Sequence, residues 1–137
     1  MATNTRFATA VHALVFLARQ PEQLHSSESI AAKLQTNAVV IRRILAQLQL
    51  ASLVRNHKGP SGGSELVRPA ASISLADIYR AAEQSSMFND ATVSGADAKR
   101  IANELRSSFA SAETALLRSL SEVSLQQIVK RTAKKKA

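Results

Sequence analysis

Three of the chain's four glycines fall within five positions, Gly59-Pro60-Ser61-Gly62-Gly63. Lys58 precedes them, and a short segment of strand character lies on each side: Leu53-Val54-Arg55-Asn56-His57 before and Ser64-Glu65-Leu66-Val67-Arg68 after, stopped by Pro69. Strand, glycine-rich loop and strand predict a β-hairpin. Glycines gathered in this way mean that the loop backbone needs positive φ angles or approaches something closely.

Everything around the hairpin has helical spacing. From Thr5 to Arg19, Phe7, Val11, Leu14, Leu17 and Ala18 recur at intervals of three and four, a first helix ended near Pro21. Ser26 and Ser27 offer N-caps to a two-turn second helix, Glu28 to Leu34, with Ile30, Ala31 and Leu34 inward. After the polar break Gln35-Thr36-Asn37, with Asn37 as cap, Ala38 to Leu50 reads as a third helix buried through Val40, Ile41, Ile44, Leu45 and Leu48. Its other face presents Val39, Arg42, Arg43, Ala46 and Gln47.

Beyond the hairpin, Ser74 and Asp77 form a capping-box pair for a fourth helix, Leu75 to Glu83, with Leu75, Ile78 and Ala82 inward. A loop follows to Ala96. From Asp97 an apolar stripe of Ile101, Leu105, Phe109, Ala112, Leu116 and Leu120 runs for about six turns, roughly 33 Å, longer than so small a domain can cover. An antiparallel second copy would bury it, so these six residues are the expected dimerisation face. Ser124 caps a terminal helix, Leu125 to Val129, and the charged tail Lys130 to Ala137 is expected to stay unfolded.

The expected organisation is a DNA-binding unit over 1–84, a loop over 85–96, a dimerisation helix with a short terminal helix over 97–129, and a basic tail over 130–137. The fold class is mainly α with one small β-hairpin. Aromatic residues at only 4% agree with helices over a sheet sandwich.

Charge is segregated within a net +8. Residues 28–68 hold six basic groups, Lys33, Arg42, Arg43, Arg55, Lys58 and Arg68, against Glu28 and Glu65, and the tail holds five more. Residues 69–129 hold five basic groups against seven acidic ones. A basic surplus concentrated where a helix pair meets a hairpin points to a polyanionic partner, with nucleic acid the commonest.

The chain has no cysteine, which excludes disulfides and any thiolate-held metal or cluster within it. No metal site and no cofactor are expected, because His12, His25 and His57 are scattered without ligand spacing. The Gly-x-x-x-x-Gly-Lys-Ser/Thr phosphate loop is absent, no catalytic pairing stands out, and an enzyme is not expected. No apolar run approaches the roughly 20 residues of a membrane span, and the start lacks a signal-type apolar core, so a cytoplasmic protein is expected.

Two helices joined by a tight turn and followed by a glycine-tipped hairpin match a winged helix-turn-helix, in which the second of those helices enters the major groove. The expected DNA contacts are Ser27, Asn37, Ala38, Val39, Arg42 and Arg43 from the helix pair, and Lys58, Gly59, Ser61, Gly62 and Gly63 from the wing. Helix N-termini favour phosphate, and arginine's fork suits guanine.

These residues resemble the Rrf2 family of bacterial regulators. The resemblance is carried by Thr5-Arg6-Phe7-Ala8, Ile30-Ala31, Ile44-Leu45 with Leu48, Leu53-Val54, and above all Gly59-Pro60-Ser61-Gly62-Gly63 followed by Leu66. Ser72-Ile73-Ser74-Leu75-Ala76-Asp77-Ile78 resembles the family's short strand leading into its fourth helix. The resemblance implies a homodimer on a palindromic operator, with repression as the usual output. Two departures stand out. Ser64 replaces the aromatic residue usual after the paired glycines, and the segment from Ser85 to Asp97 lacks the cysteines of cluster-sensing members, so an iron-sulfur role is not implied.

The expected partners are double-stranded DNA, a second copy, and an unidentified small-molecule effector or partner protein. Tyr79, Met87 and Phe88 are candidates for lining an effector pocket, although packing of the loop onto the fourth helix is the plainer role. The alternative function is a protein-interaction adaptor that keeps the winged-helix fold without reading DNA.

Overall fold

The computed structural model describes residues 5–84, 88 and 92–134. Met87 and the last three residues of the basic tail lie outside that set. The elements run α1 (Arg6–Arg19), α2 (Ser27–Leu34), α3 (Ala38–Leu50), β1 (Val54–His57), β2 (Gly63–Leu66), α4 (Leu75–Ala82), α5 (Ala96–Ser121) and α6 (Leu125–Arg131). The two strands pair antiparallel, with Val54 opposite Leu66 and His57 opposite Gly63.

Local chemistry sets the helix starts. Ser26 Oγ accepts from Ser29 N at 3.0 Å and Asn37 Oδ1 from Val39 N at 2.7 Å. At α4 and α6 the caps are complete boxes, Ser74 with Asp77 and Ser124 with Gln127. Leu75 N donates to Val123 O at 2.9 Å and Leu125 N to Ile73 O at 2.8 Å, which docks the two capped ends side by side. Between α2 and α3 the chain turns through Gln35, whose left-handed φ of 55° ends α2.

α1 runs through the core. Its Ala10, Ala13, Leu14 and Leu17 meet Ile30 of α2, Ile41, Ile44 and Leu48 of α3, Val54 of β1, Ile78 and Ala82 of α4, and Leu125 of α6 in one buried cluster. Each large aliphatic side chain sealed there contributes about 1.5–3 kcal/mol. The small residues of α1 let α3, α4 and α6 approach it closely. Phe7 meets Tyr79 edge to face, with ring centroids 5.4 Å apart.

Several expectations need correction. Val40, assigned to the inner face of α3, is 39% exposed, because the buried stripe starts at Ile41. The inward face of α4 is wider than expected: Ile78 and Ala82 are buried and Leu75 packs half-buried on the core, but Ala76, Tyr79 and Ala81 are buried as well. The expected strand before α4 is a single 3-10 turn, Ala70–Ser72, followed by one bridge between Ser74 and Ser124. The tail does not begin at Lys130. Lys130 and Arg131 belong to α6, and Arg19 Nη2 ties the helix end to α1 by donating to Thr132 O at 3.1 Å and to Thr132 Oγ1 at 2.9 Å.

α5 is 26 residues long, about 39 Å, and none of its residues is buried. It packs on α4 through one side. Ile101 and Leu105 are 56% and 44% exposed, Ala112 is exposed, and Phe109, Leu116 and Leu120 are half-buried. Phe109 is covered within the chain by Phe88, stacked on it at 4.5 Å. Of the three effector-pocket candidates, Tyr79 is thus paired with Phe7 and Phe88 with Phe109, while Met87 lies outside the described residues.

Candidate nucleic-acid interface

The N-terminal end of α2, the outer face of α3 and the wing enclose an open cleft of about 510 Å³. Ser26, Ser27 and Glu28 form one wall, Arg42 and Leu45 the floor, and Asn56 to Pro60 with Gly62 to Ser64 the opposite wall.

The wing is held in place from below. Ser64 is buried, and its backbone exchanges two hydrogen bonds with His25, N to His25 O at 2.8 Å and O from His25 N at 3.0 Å. Ser64 Oγ donates to Asn56 Oδ1 at 2.6 Å, Asn56 Nδ2 donates to Leu45 O at 3.2 Å, and Asn56 N donates to Gln49 Oε1 at 2.7 Å. The wing is thus fastened to α3 and to the turn before α2. His25, 4% exposed, closes the turn by donating from Nε2 to Gln20 O at 3.0 Å. The small Ser64 supplies a hydroxyl to this network where an aromatic ring could not.

Backbone crowding, within the hairpin at Gly62 and against the docked turn at Gly63, explains two of the glycines. A Cβ on Gly62 would lie 2.1 Å from His57 O, and one on Gly63 would lie 2.9 Å from the backbone of His25. Their close approach is to the chain's own backbone, so glycine is required here whatever the wing touches. Gly59, at φ 102° with open space around it, serves the turn itself.

Of the residues expected to contact DNA, Ser27, Arg42, Lys58, Gly59, Gly62 and Gly63 line the cleft. Arg43, Val39 and Ser61 are exposed outside it, Arg43 being turned about 100° around α3 from Arg42. Asn37 spends its side-chain oxygen on the α3 cap, and Ala38 is half-buried against the core. Sequence reasoning passed over Ser26, Glu28, Asn56, His57 and Pro60. Only the charge of Glu28, opposite so many cations, could have drawn notice.

Two carboxylates engage side chains that line the cleft. Glu28 Oε1 accepts a hydrogen bond from Arg42 Nη2, with both side chains more than half exposed. Its own backbone N–H, reinforced by Arg42, holds the Glu28 carboxyl below the usual glutamate range. On the wing, His57 Nε2 stands 2.8 Å from Glu65 Oε2. Among the described residues Lys58 and Arg43 have no ion-pair partner.

A family model described as "Rrf2: Iron-dependent Transcriptional regulator" matches residues 3–131. The chain belongs to the Rrf2 family. Among relatives, the HTH-type transcriptional regulator YwnA of Bacillus subtilis (strain 168) is 32% identical over 130 residues, covering 92% of this chain and 96% of that protein. IscR of Cereibacter sphaeroides, an HTH-type transcriptional regulator, is 31% identical over 114 residues, 77% of this chain and 74% of its own. In fold, the chain is similar to T. potens IscR, with a TM-score of 0.73 at 22% identity over 100% of this chain and 94% of that one. It is similar also to CymR (YrzC), the global cysteine regulator of B. subtilis, with a TM-score of 0.71 at 22% identity over 97% and 99%. The chain is therefore a transcriptional regulator of this family on a winged-helix, DNA-binding fold.

The iron in the family's description finds no matching donors. The chain has no cysteine, and the described residues bring no three His, Asp or Glu side chains together. His25 and His57 are engaged with Gln20 and Glu65. The residues present do not fit a thiolate-held cluster.

No helix among the described residues is long and apolar enough to cross a membrane.

Proposed function

We propose that this chain is a sequence-specific DNA-binding regulator that acts as a cytoplasmic homodimer on a palindromic operator, without an iron-sulfur cluster, and is not an enzyme. The observation that carries the proposal is the cleft itself: Arg42 on α3 and Lys58 on the wing face the N-terminal end of α2 across a space open to solvent. Ser27 and Lys58, on opposite walls, suit the phosphate backbone, and α3 presents Arg42 and Arg43 toward base edges. Val39 adds an exposed apolar group on the same helix face, suited to a thymine methyl.

The homodimer is supported by α5, which carries no buried residue along 26 positions and leaves Ile101 and Leu105 bare. Two copies packed through this helix would place two clefts on one duplex, each reading one half-site. Repression is the output proposed, since a dimer seated over a promoter excludes other proteins from it. A small molecule or partner protein that adjusts the two clefts' separation would regulate binding.

Selection of bound fragments from a pool of genomic duplexes with the purified protein tests the proposal. The expected result is enrichment of an inverted repeat with a fixed half-site spacing. Recovery of an unenriched pool, with no salt-dependent affinity for any duplex, would overturn it in favour of an adaptor that docks an acidic protein.

A further inference from the structure

Arg42 carries a counter-charge at the point where a DNA reader would be expected to show a bare cation. Glu28, in the first turn of α2, reaches across the cleft to Arg42 of α3, and it is one of only two acidic residues among residues 28–68. The fold does not need this pair. With side-chain exposures of 55% for Arg42 and 66% for Glu28, it lies at the mouth of the cleft, where such ion pairs add little to stability. A carboxylate so placed also favours the α2 N-terminus through the helix dipole, but that role requires no arginine.

We propose that Glu28 is a specificity-determining residue: by compensating Arg42 it withdraws that arginine from phosphate binding and reserves its remaining N–H donors for neutral acceptors on a base edge. This rests on the DNA-reading function proposed above. A guanidinium has five N–H donors, and the contact to Glu28 runs through Nη2. A phosphate approaching Arg42 meets the Glu28 carboxylate beside it, so the two anions repel and little net attraction results. The O6 and N7 of guanine carry no net charge, and a guanidinium held in one orientation donates to both without that repulsion. The labour in the cleft is then divided, with Lys58 taking backbone and Arg42 taking sequence.

Salt-titrated binding of the full chain to a random duplex and to its selected operator, for the wild type, E28Q and R42A, tests this division. E28Q is expected to steepen the log–log salt slope on random duplex by about one unit, as one more phosphate is neutralised, and to narrow the operator-to-random ratio at least tenfold. R42A is expected to leave the random-duplex slope near that of the wild type while the operator preference falls. Thermal melts within a few degrees of the wild type would separate these effects from a helix-dipole role. An unchanged slope in E28Q, or a slope about one unit shallower in R42A, would overturn the proposal, since Arg42 would then already be neutralising a phosphate. A wild type that binds no duplex would instead sink the DNA-reading function, which distinguishes the two failures.

Discussion

Ser64 and His25 exchange both of their backbone hydrogen bonds, at 2.8 and 3.0 Å, and this single bridge joins the wing to the turn that starts α2. The wall carrying Lys58 and the wall carrying Ser27 are therefore fixed relative to each other before any ligand arrives. Preorganisation of this kind lowers the cost of ordering on binding.

Gly63 is the point at which the bridge is easiest to break, and Gly62 the point at which the hairpin's own turn is. Alanine at Gly62 drives a methyl into His57 O, and alanine at Gly63 drives one into the His25 backbone. Each substitution is expected to cost about 1–3 kcal/mol in a thermal or urea melt, as overpacking does elsewhere. Gly59→Ala meets no neighbour and is expected to cost only the backbone strain of a side chain at φ 102°, less than Gly63→Ala, which adds the clash with His25; the reverse order would contradict the docking described.

At the other end of the molecule, Ser74→Ala removes one arm of the α4 capping box beside the Ser124 bridge. A loss of about 1 kcal/mol in stability is expected, with DNA affinity unchanged at temperatures where the protein is folded. A large loss of affinity in folded protein would show that α4 reports to the cleft.

Charging α5 tests what covers it. Ile101→Lys with Leu105→Lys places two cations on its most exposed apolar positions. Sedimentation should show the dimer dissociation constant raised at least tenfold and the monomer's circular dichroism preserved. A dimer of unaltered strength would place the partner elsewhere.

Acid titration probes Glu28. Its carboxyl is held below the usual glutamate range first by its own backbone N–H and then by Arg42. A carboxyl depressed in the folded state stabilises the fold above its unfolded pKa, and that stabilisation is lost as pH falls through the folded value. Carbon-detected NMR should place its midpoint below that of exposed glutamates, and Arg42→Ala should raise it only part of the way. A full return to the ordinary value would mean that the arginine, not the helix end, is the main cause.

The sequence was most informative where the chemistry is local. Asn37 before an apolar face, Ser74 with Asp77, and glycines between two short strands each name a cap or a turn by themselves, and the structure has the helix pair and hairpin there. It was least informative where distant segments meet. The reason for Gly63 is His25, 38 positions away in the chain, and Arg42 meets Glu28 across 14. Val40 failed because a helix stripe read from composition is wider than the groove it fills. Lys130 and Arg131 looked coreless because the sequence alone does not bring Arg19 to Thr132.

Whether the outer face of α3 reads sequence is decided by substituting Arg42 and Arg43 together by alanine. In a mobility-shift assay with the selected operator, the double variant is predicted to lose specific binding while sedimentation shows the dimer intact. Specific binding at wild-type affinity would contradict the account.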